Sequence, residues 1–286
     1  MKKLHVLLLA IVTVLVLSAC SDGEASGKEG KTVRVGVTGT DGQVWDTVVK
    51  LAKEEGINVE LIEFADYTLP NQALANEEID INSFQHIAFL SEFTKQGGLD
   101  LVPIGATLIA PMGIYSEKYE DISDIPDGSK IAIPDDPSNQ ARALRLLETA
   151  GLIELADDFG LFGDPTKITA NPKNLDIYAI VAQQTPRVLP DVAASVINNG
   201  VAGQAGFDTA NDPIYLEDAT NDSVKPYINV FAARAEDAAN ETYLKLVEIY
   251  HHEDVIAAVK EDTNGGSLVV DITQDELLQA FKELGE

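Results

Sequence analysis

From Thr32 onward, short runs of β-branched residues alternate with longer segments whose apolar residues recur at helical spacing. Few folds accept that pattern: a strand, a helix and a returning strand form an α/β structure around a largely parallel sheet. Val33 to Val37 is the first run. Gln43 to Glu55 follows, with Val44, Val48, Leu51 and Ala52 on one helical face and Gly56 as its stop, and Val59 to Phe64 reads as the second strand. A helix from Pro70 to Asn76, another from Phe84 to Lys95 ended by Gly97-Gly98, and a strand from Leu101 to Ile109 continue the pattern. A second lobe begins near Met112. Its first buried-type strand is Lys130 to Pro134, and its helix runs from Pro137 to Ala150, with Asp136 at the N-cap and Pro137 at the first helical position. Strands over Leu175 to Ala182, Val192 to Ile197 and Tyr227 to Ala232 come next, with a Gly- and Asp-rich stretch at 199–223. Helices over 238–250, 253–261 and 273–284 close the chain, the last opening on a Thr273/Glu276 capping box.

The residues before this body are of another kind. Met1-Lys2-Lys3 leads into the apolar stretch Leu4 to Leu17 and then Leu17-Ser18-Ala19-Cys20, small residues ahead of a cysteine, which is a lipobox. At about 1.5 Å per residue that stretch covers about 21 Å, too little for a hydrocarbon core of about 30 Å. Residues 1–19 are therefore expected to be a lipoprotein signal peptide, and Cys20 to carry the lipid that holds the mature chain at the extracytoplasmic face of the cell membrane. Cys20 is the single cysteine, so the sequence admits neither a disulfide nor a thiolate metal site and the fold stands on its apolar core. Residues 20–31 lack any large apolar side chain and have the composition of a flexible linker, with a reach of about 17 to 20 Å. Gly30-Lys31-Thr32 imitates the end of a phosphate loop, but Ala25 stands where that loop needs its first glycine and no strand precedes it.

The formal net charge of −27, with the acid spread along the chain, disfavours nucleic acid as a partner and favours solubility beside an anionic surface. The catalytic inventory is thin. There is no Gly-x-Ser-x-Gly elbow, no His-Glu-x-x-His helix and no EF-hand loop, and no cofactor or metal is expected. Of four histidines, His5 leaves with the leader, His251-His252 read as a solvated pair at a helix end, and His86 remains.

Polar and aromatic residues gather instead at element ends, where open α/β sheets bind ligands. One group is Asp66-Tyr67 through Pro70-Asn71. A second runs from Asn82 to Phe89 and opens the helix after Asp80; its Phe84 and Phe89 are either ordinary core or ligand contacts. In the third, Pro134 to Arg142, a helix N-terminus offers backbone amides to a carboxylate, and Arg142 either adds a two-pronged hydrogen bond or forms a surface salt bridge. Asn198 and Asn229 are polar residues at or inside β runs, where they cap or bend a strand or, in a cleft, accept from an ammonium group.

These passages together resemble the NlpA/MetQ-type lipoproteins, the methionine-binding subunits of ABC importers. The carriers are Asp66-Tyr67, Leu69-Pro70-Asn71, Ala73-Leu74, Ile79-Asp80, Asn82-Ser83-Phe84-Gln85-His86, Ile131-Ala132-Ile133-Pro134, Asp136-Pro137-Ser138-Asn139 and Val196-Ile197-Asn198. The resemblance runs over almost the whole chain from Val33. It implies a two-lobed, periplasmic-binding-protein-like α/β fold with a ligand cleft between lobes: 32–112 and 226–286 in the first, 113–225 in the second. It also implies a site in which Tyr67, Phe84 and His86 surround a thioether, Arg142 meets the ligand carboxylate, and Asn198 and Asn229 read the amino end. Phe89 stands where relatives often carry tyrosine, without the hydroxyl.

The expected function is thus an extracytoplasmic solute-binding protein, not an enzyme, that hands methionine to an ABC importer permease with its ATPase, acting as a monomer held to the membrane by its lipid. A methionine-containing dipeptide or another apolar amino acid is the alternative ligand. A secreted α/β hydrolase using Ser83 and His86 is the distant alternative, and it lacks both an elbow and a placed third partner.

Overall fold

A computed structural model describes residues 30–40 and 42–285; the leader, Cys20 and the linker through residue 29 lie outside the described residues. The chain first lays down β1 (Lys31–Val37), α1 (Val44–Glu54), β2 (Ile57–Glu63), α2 (Pro70–Ala75), β3 (Ile81–His86), α3 (Ile87–Gly97) and β4 (Leu101–Ile109). It then builds a second body from β5 (Gly113–Tyr115), β6 (Lys130–Pro134), α4 (Pro137–Thr149), the small β7 (Glu154–Leu155) and β8 (Ile168–Ala170) pair, β9 (Asp176–Ile180), β10 (Ala194–Ile197), α5 (Asn199–Gln204) and β11 (Tyr215–Leu216). Finally it returns to the first body with β12 (Ile228–Arg234), α6 (Glu241–Tyr250), α7 (Glu253–Asp262), β13 (Leu268–Val269) and α8 (Gln274–Gly285).

Two large sheets result, in the order β13-β4-β12-β3-β1-β2 and β11-β5-β10-β6-β9, beside the two-stranded β7-β8 pair. The architecture is two-lobed. Neither sheet is largely parallel, as the alternation alone suggests. β1 pairs in parallel with β2 and β3, but β12 is antiparallel to both β3 and β4 because it belongs to the returning chain. In the second sheet β6 is parallel to β9 and β10, while β5 is antiparallel to β10 and β11.

The period-2 rule of a strand buried on both faces is plain in β12. Val230 and Ala232 pack with Leu74, Ile87, Leu90 and Leu277 on one side of the sheet. Phe231 and Ala233 pack with Val33, Val35, Leu246 and Val259 on the other. The second sheet has its own core, in which Ile131, Ile133 and Val196 meet Leu144 and Leu147 of α4. Close approach matters at Gly105 in β4, where an added Cβ would lie 2.9 Å from the Cβ of Val247 in α6. That atom is fixed to its helix, so glycine here is what lets α6 lie against the sheet.

One expectation fails in a way that bears on the site. Phe84 to Lys95 was expected to be helical, but Ile81 to His86 is a strand and the helix begins at Ile87. Sheet pairing overrides the helical spacing: Ile81 and Asn82 join Val35 and Gly36, while Gln85 and His86 join Val230 and Asn229. His86 is then the N-cap of α3, its Nδ1 accepting from the Phe89 amide at 3.1 Å. The stretch 199–223 contains α5 and β11, too short for a periodic signal. His251 and His252 are not a free pair: His251 lies between the carbonyls of Val247 and Val270, and His252 caps α7 through the Asp254 amide.

Candidate functional site

A cavity of about 450 Å³ opens between the two sheets, and Tyr67, Phe84, His86, Phe89, Arg142, Asn198 and Asn229 all line it. Strand β3 and the first turn of α3 supply one wall. Phe84 and Phe89 meet edge-on with centroids 5.8 Å apart, and Tyr67 stands 5.9 Å from Phe84 and 6.0 Å from Phe89. Such edge and tilted contacts set the positive rim of one ring against the face of the next and fix the wall's shape. Behind it the amides of Asn71, Asn82 and Gln85 are buried and bonded to one another at 2.6 to 2.9 Å. Asn71, Asn82 and Gln85, prominent in the sequence, therefore anchor the wall from behind.

His86 joins this wall to the other. Because its Nδ1 accepts from the Phe89 amide, its proton sits on Nε2, which donates to Asn139 Oδ1 at 3.2 Å. Burial, and then the nearby Arg142 cation, push its pKa down to about 3, so it is a neutral hydrogen-bond donor at ordinary pH.

The second wall is polar. Asn139 Oδ1 also accepts from Asn198 Nδ2 at 2.7 Å, while Asn139 Nδ2 donates to both oxygens of Asp136. With Nδ2 thus committed, Asn198 presents Oδ1, which has no hydrogen-bond partner among the described residues; the same holds for Asn199 Nδ2 beside it. The two residues are only 9 % and 8 % exposed. Buried amide atoms left unpaired cost about 1 to 3 kcal/mol each, so an acceptor and a donor side by side suit a ligand bearing both complements. Burial raises the Asp136 pKa against the lowering effect of its bonds from Asn139 and Ser138. Asp136 caps α4 and takes the Asn139 amide, so the helix N-terminus expected to receive a carboxylate is already engaged by its own chain.

Arg142, 3 % exposed, is no surface salt-bridge partner. Its Nε donates to Glu217 Oε1 at 3.0 Å, and Nη2 donates to Glu217 Oε2 and to the Ala110 carbonyl. Its carbon lies 4.4 Å from the centroid of the Tyr227 ring, and burial raises the Tyr227 phenol to about 12. The two-pronged edge of the guanidinium is thus taken by Glu217, and Nη1 is the nitrogen without a protein partner among the described residues. Asn229, half-buried in β12, pairs in register with His86 and reaches the Tyr227 carbonyl at 3.5 Å. Gln204, on the cavity lining, donates through Nε2 to the Thr38 carbonyl, and elsewhere Asn264 Nδ2 donates to Asp208 Oδ2 at 3.0 Å, both bonds joining the two bodies. Among the described residues no group of three or more His, Cys, Asp or Glu side chains comes together to hold a metal.

A family model described as NlpA lipoprotein matches residues 33–270. The chain belongs to the NlpA lipoprotein family. Among its relatives, the D-methionine-binding lipoprotein MetQ of Salmonella typhimurium is 40 % identical over 263 residues, covering 91 % of this chain and 94 % of that protein. The crystal structure of protein PG110 from Staphylococcus aureus is 49 % identical with a TM-score of 0.86, covering 88 % of this chain and 99 % of that one. A nutrient binding protein from Burkholderia cenocepacia bound to methionine is 41 % identical with a TM-score of 0.78, covering 84 % and 100 %. Two of these relatives, those from Salmonella typhimurium and Burkholderia cenocepacia, are named as binding proteins. Within this NlpA-family site, the sequence reading passed over Glu217, Asn139 as a junction, Asn199 and Tyr227. Asn139 lay in a quoted passage and Asn199 beside another; Glu217 carries no local signal, because its partner is 75 residues away.

Proposed function

We propose that this NlpA-family protein captures methionine in the cleft between its lobes and delivers it to an ABC importer, without catalysing any reaction. The observation that carries the reading is one cavity bearing an aromatic wall on one side and Arg142, Asn198 and Asn199 on the other. A methionine side chain against Tyr67, Phe84 and Phe89 gains about 1.5 to 3 kcal/mol from burial, and sulfur–ring contacts add about 0.3 to 1.5 kcal/mol each. Its carboxylate meets Arg142 Nη1, and its ammonium donates to Asn198 Oδ1 and Asn229. Hydrogen bonds to charged groups contribute about 1.5 to 3 kcal/mol each, which after the cost of association is compatible with micromolar to nanomolar affinity.

In this reading the lobes are 32–112 with 226–286, and 113–225, and they close by hinge motion at the crossings between Ile109 and Gly113 and between Leu216 and Ile228. The protein acts as a monomer, held by lipid on Cys20 at the extracytoplasmic face of the membrane, near the permease and ATPase it serves. The cavity also runs on to Thr209 and Ser267, whose buried hydroxyls have no partner among the described residues. That extension favours a methionine-containing dipeptide as the second ligand to test. Mass spectrometry of the purified protein after denaturation should release methionine, and calorimetry should then give a micromolar or tighter Kd. Release of a dipeptide selects the second ligand, and absence of any affinity for either rejects the reading.

A further inference from the structure

Glu217 lies where both crossings between the sheets meet. It follows β11 at the start of the return crossing, and its Oε2 accepts from the Met112 amide of the outgoing crossing at 3.1 Å as well as from Arg142. Its carboxylate takes the Nε–Nη2 edge of the guanidinium, the Ala110 carbonyl takes another Nη2 proton, and the Tyr227 ring covers one face. The arginine aimed at a ligand carboxylate is therefore already matched by a negative charge inside the protein, with 3 % and 12 % side-chain exposure for the two partners.

The surrounding groups leave that balance standing. His86 is neutral. Arg145 is paired with Glu148. Asp136 caps the positive end of α4, and Asp262 receives the Gln43 and Val44 amides at the positive end of α1. A net charge enclosed with this pair would lose its hydration without gaining a counter-ion, whereas a molecule with both charges would have its carboxylate at Arg142 Nη1 and its ammonium at Asn198 Oδ1.

We infer that Glu217 is a specificity-determining residue: by neutralising Arg142 it makes the cleft select zwitterionic amino acids over anionic or cationic analogues of the same shape. A cleft with an unmatched arginine would instead welcome any carboxylate with a fitting side chain. This rests on methionine being the ligand, and the test uses analogues no larger than methionine, so exclusion by size does not enter. 4-(Methylthio)butanoate lacks the ammonium and is an anion; 3-(methylthio)propylamine lacks the carboxylate and is a cation.

Calorimetry on the wild-type protein should find both analogues much weaker than methionine and within about tenfold of one another. In Glu217→Gln the ratio of the anion's Kd to that of methionine should fall by at least about tenfold, while Glu217→Asp, which keeps the charge, should leave the ratio within about threefold of wild type. An unchanged ratio in Glu217→Gln overturns the inference, as does a ratio that falls equally in Glu217→Asp, because packing rather than charge would then be responsible. Should Glu217→Gln not fold, the wild-type series decides: an anion bound within about tenfold of methionine, with the cation far weaker, overturns it. If methionine itself fails to bind the wild type, the functional reading is wrong and the charge-selection inference is withdrawn with it.

Discussion

The two walls of the cleft are built on opposite principles. The aromatic wall comes from one continuous stretch, Tyr67 to Phe89, whose rings hold one another at about 6 Å and whose polar neighbours are bonded among themselves behind it. The polar wall is assembled from Ala110, Asn139, Arg142, Asn198 and Asn199, with Glu217 holding Arg142 from behind, brought together by two crossings between the sheets. The first wall offers area and shape, which are tolerant of exchange; the second offers charge and directed hydrogen bonds, which are not.

Arg142→Ala tests that contrast most severely. It leaves the Glu217 carboxylate buried without its partner, a loss of about 3 to 5 kcal/mol of folding stability, and it should weaken methionine binding at least about tenfold. Chemical denaturation and calorimetry measure the two effects; a variant of unchanged affinity would remove Arg142 from the ligand site. Next is the junction of the walls. The folded pKa of His86, about 3, lies below the value of about 6.5 expected when unfolded. Between those values the unfolded chain binds the extra proton, so stability is complete above about pH 6.5 and declines as pH falls toward 3, by about 2 kcal/mol at pH 5. Denaturation across pH 7 to 4 should show that decline, and His86→Gln should flatten it.

On the aromatic wall, Phe84→Ala should cost about 1 to 2 kcal/mol of methionine affinity, mostly in ring and burial contacts, with little change in melting temperature because Phe84 is half-buried. An effect as large as that of Arg142→Ala would mean the walls do not divide the work as described. The smallest effect lies away from the cleft. Thr273 and Glu276 form a reciprocal capping box at the start of α8, so Thr273→Ala should lose about 1 kcal/mol of stability and no affinity.

The same division explains what could be read from the chain. α1, α4 and α8 were legible because caps, stops and helical spacing are local; Asp136 before Pro137 and Thr273 before Glu276 carry their own instructions. The seven candidate residues were legible through ordered passages that resemble a family, and the structure brings all of them to one cavity. β3 was misread because Phe84, Ile87 and Ala88 stand at helical spacing while its strand character comes from partners up to 150 residues away, as in the pairing of Asn82 with Ala232. Glu217 was missed for a related reason: it sits in a stretch without periodicity, and only the folded crossings show what its charge meets.

The place of β12 in the first sheet has a consequence for how the protein is made. β12 lies between β3 and β4 and is paired with both. The first 109 residues, emerging from a ribosome, thus cannot complete their own sheet. β3 and β4 wait with unpaired edges until residues 228–234 arrive to fill the gap. Pairings this distant along the chain raise the cost of loop closure and slow folding. The early strands therefore cannot lock into their final sheet ahead of the rest of the chain, and a permuted variant that supplied the β12 segment ahead of β3 would lose that delay.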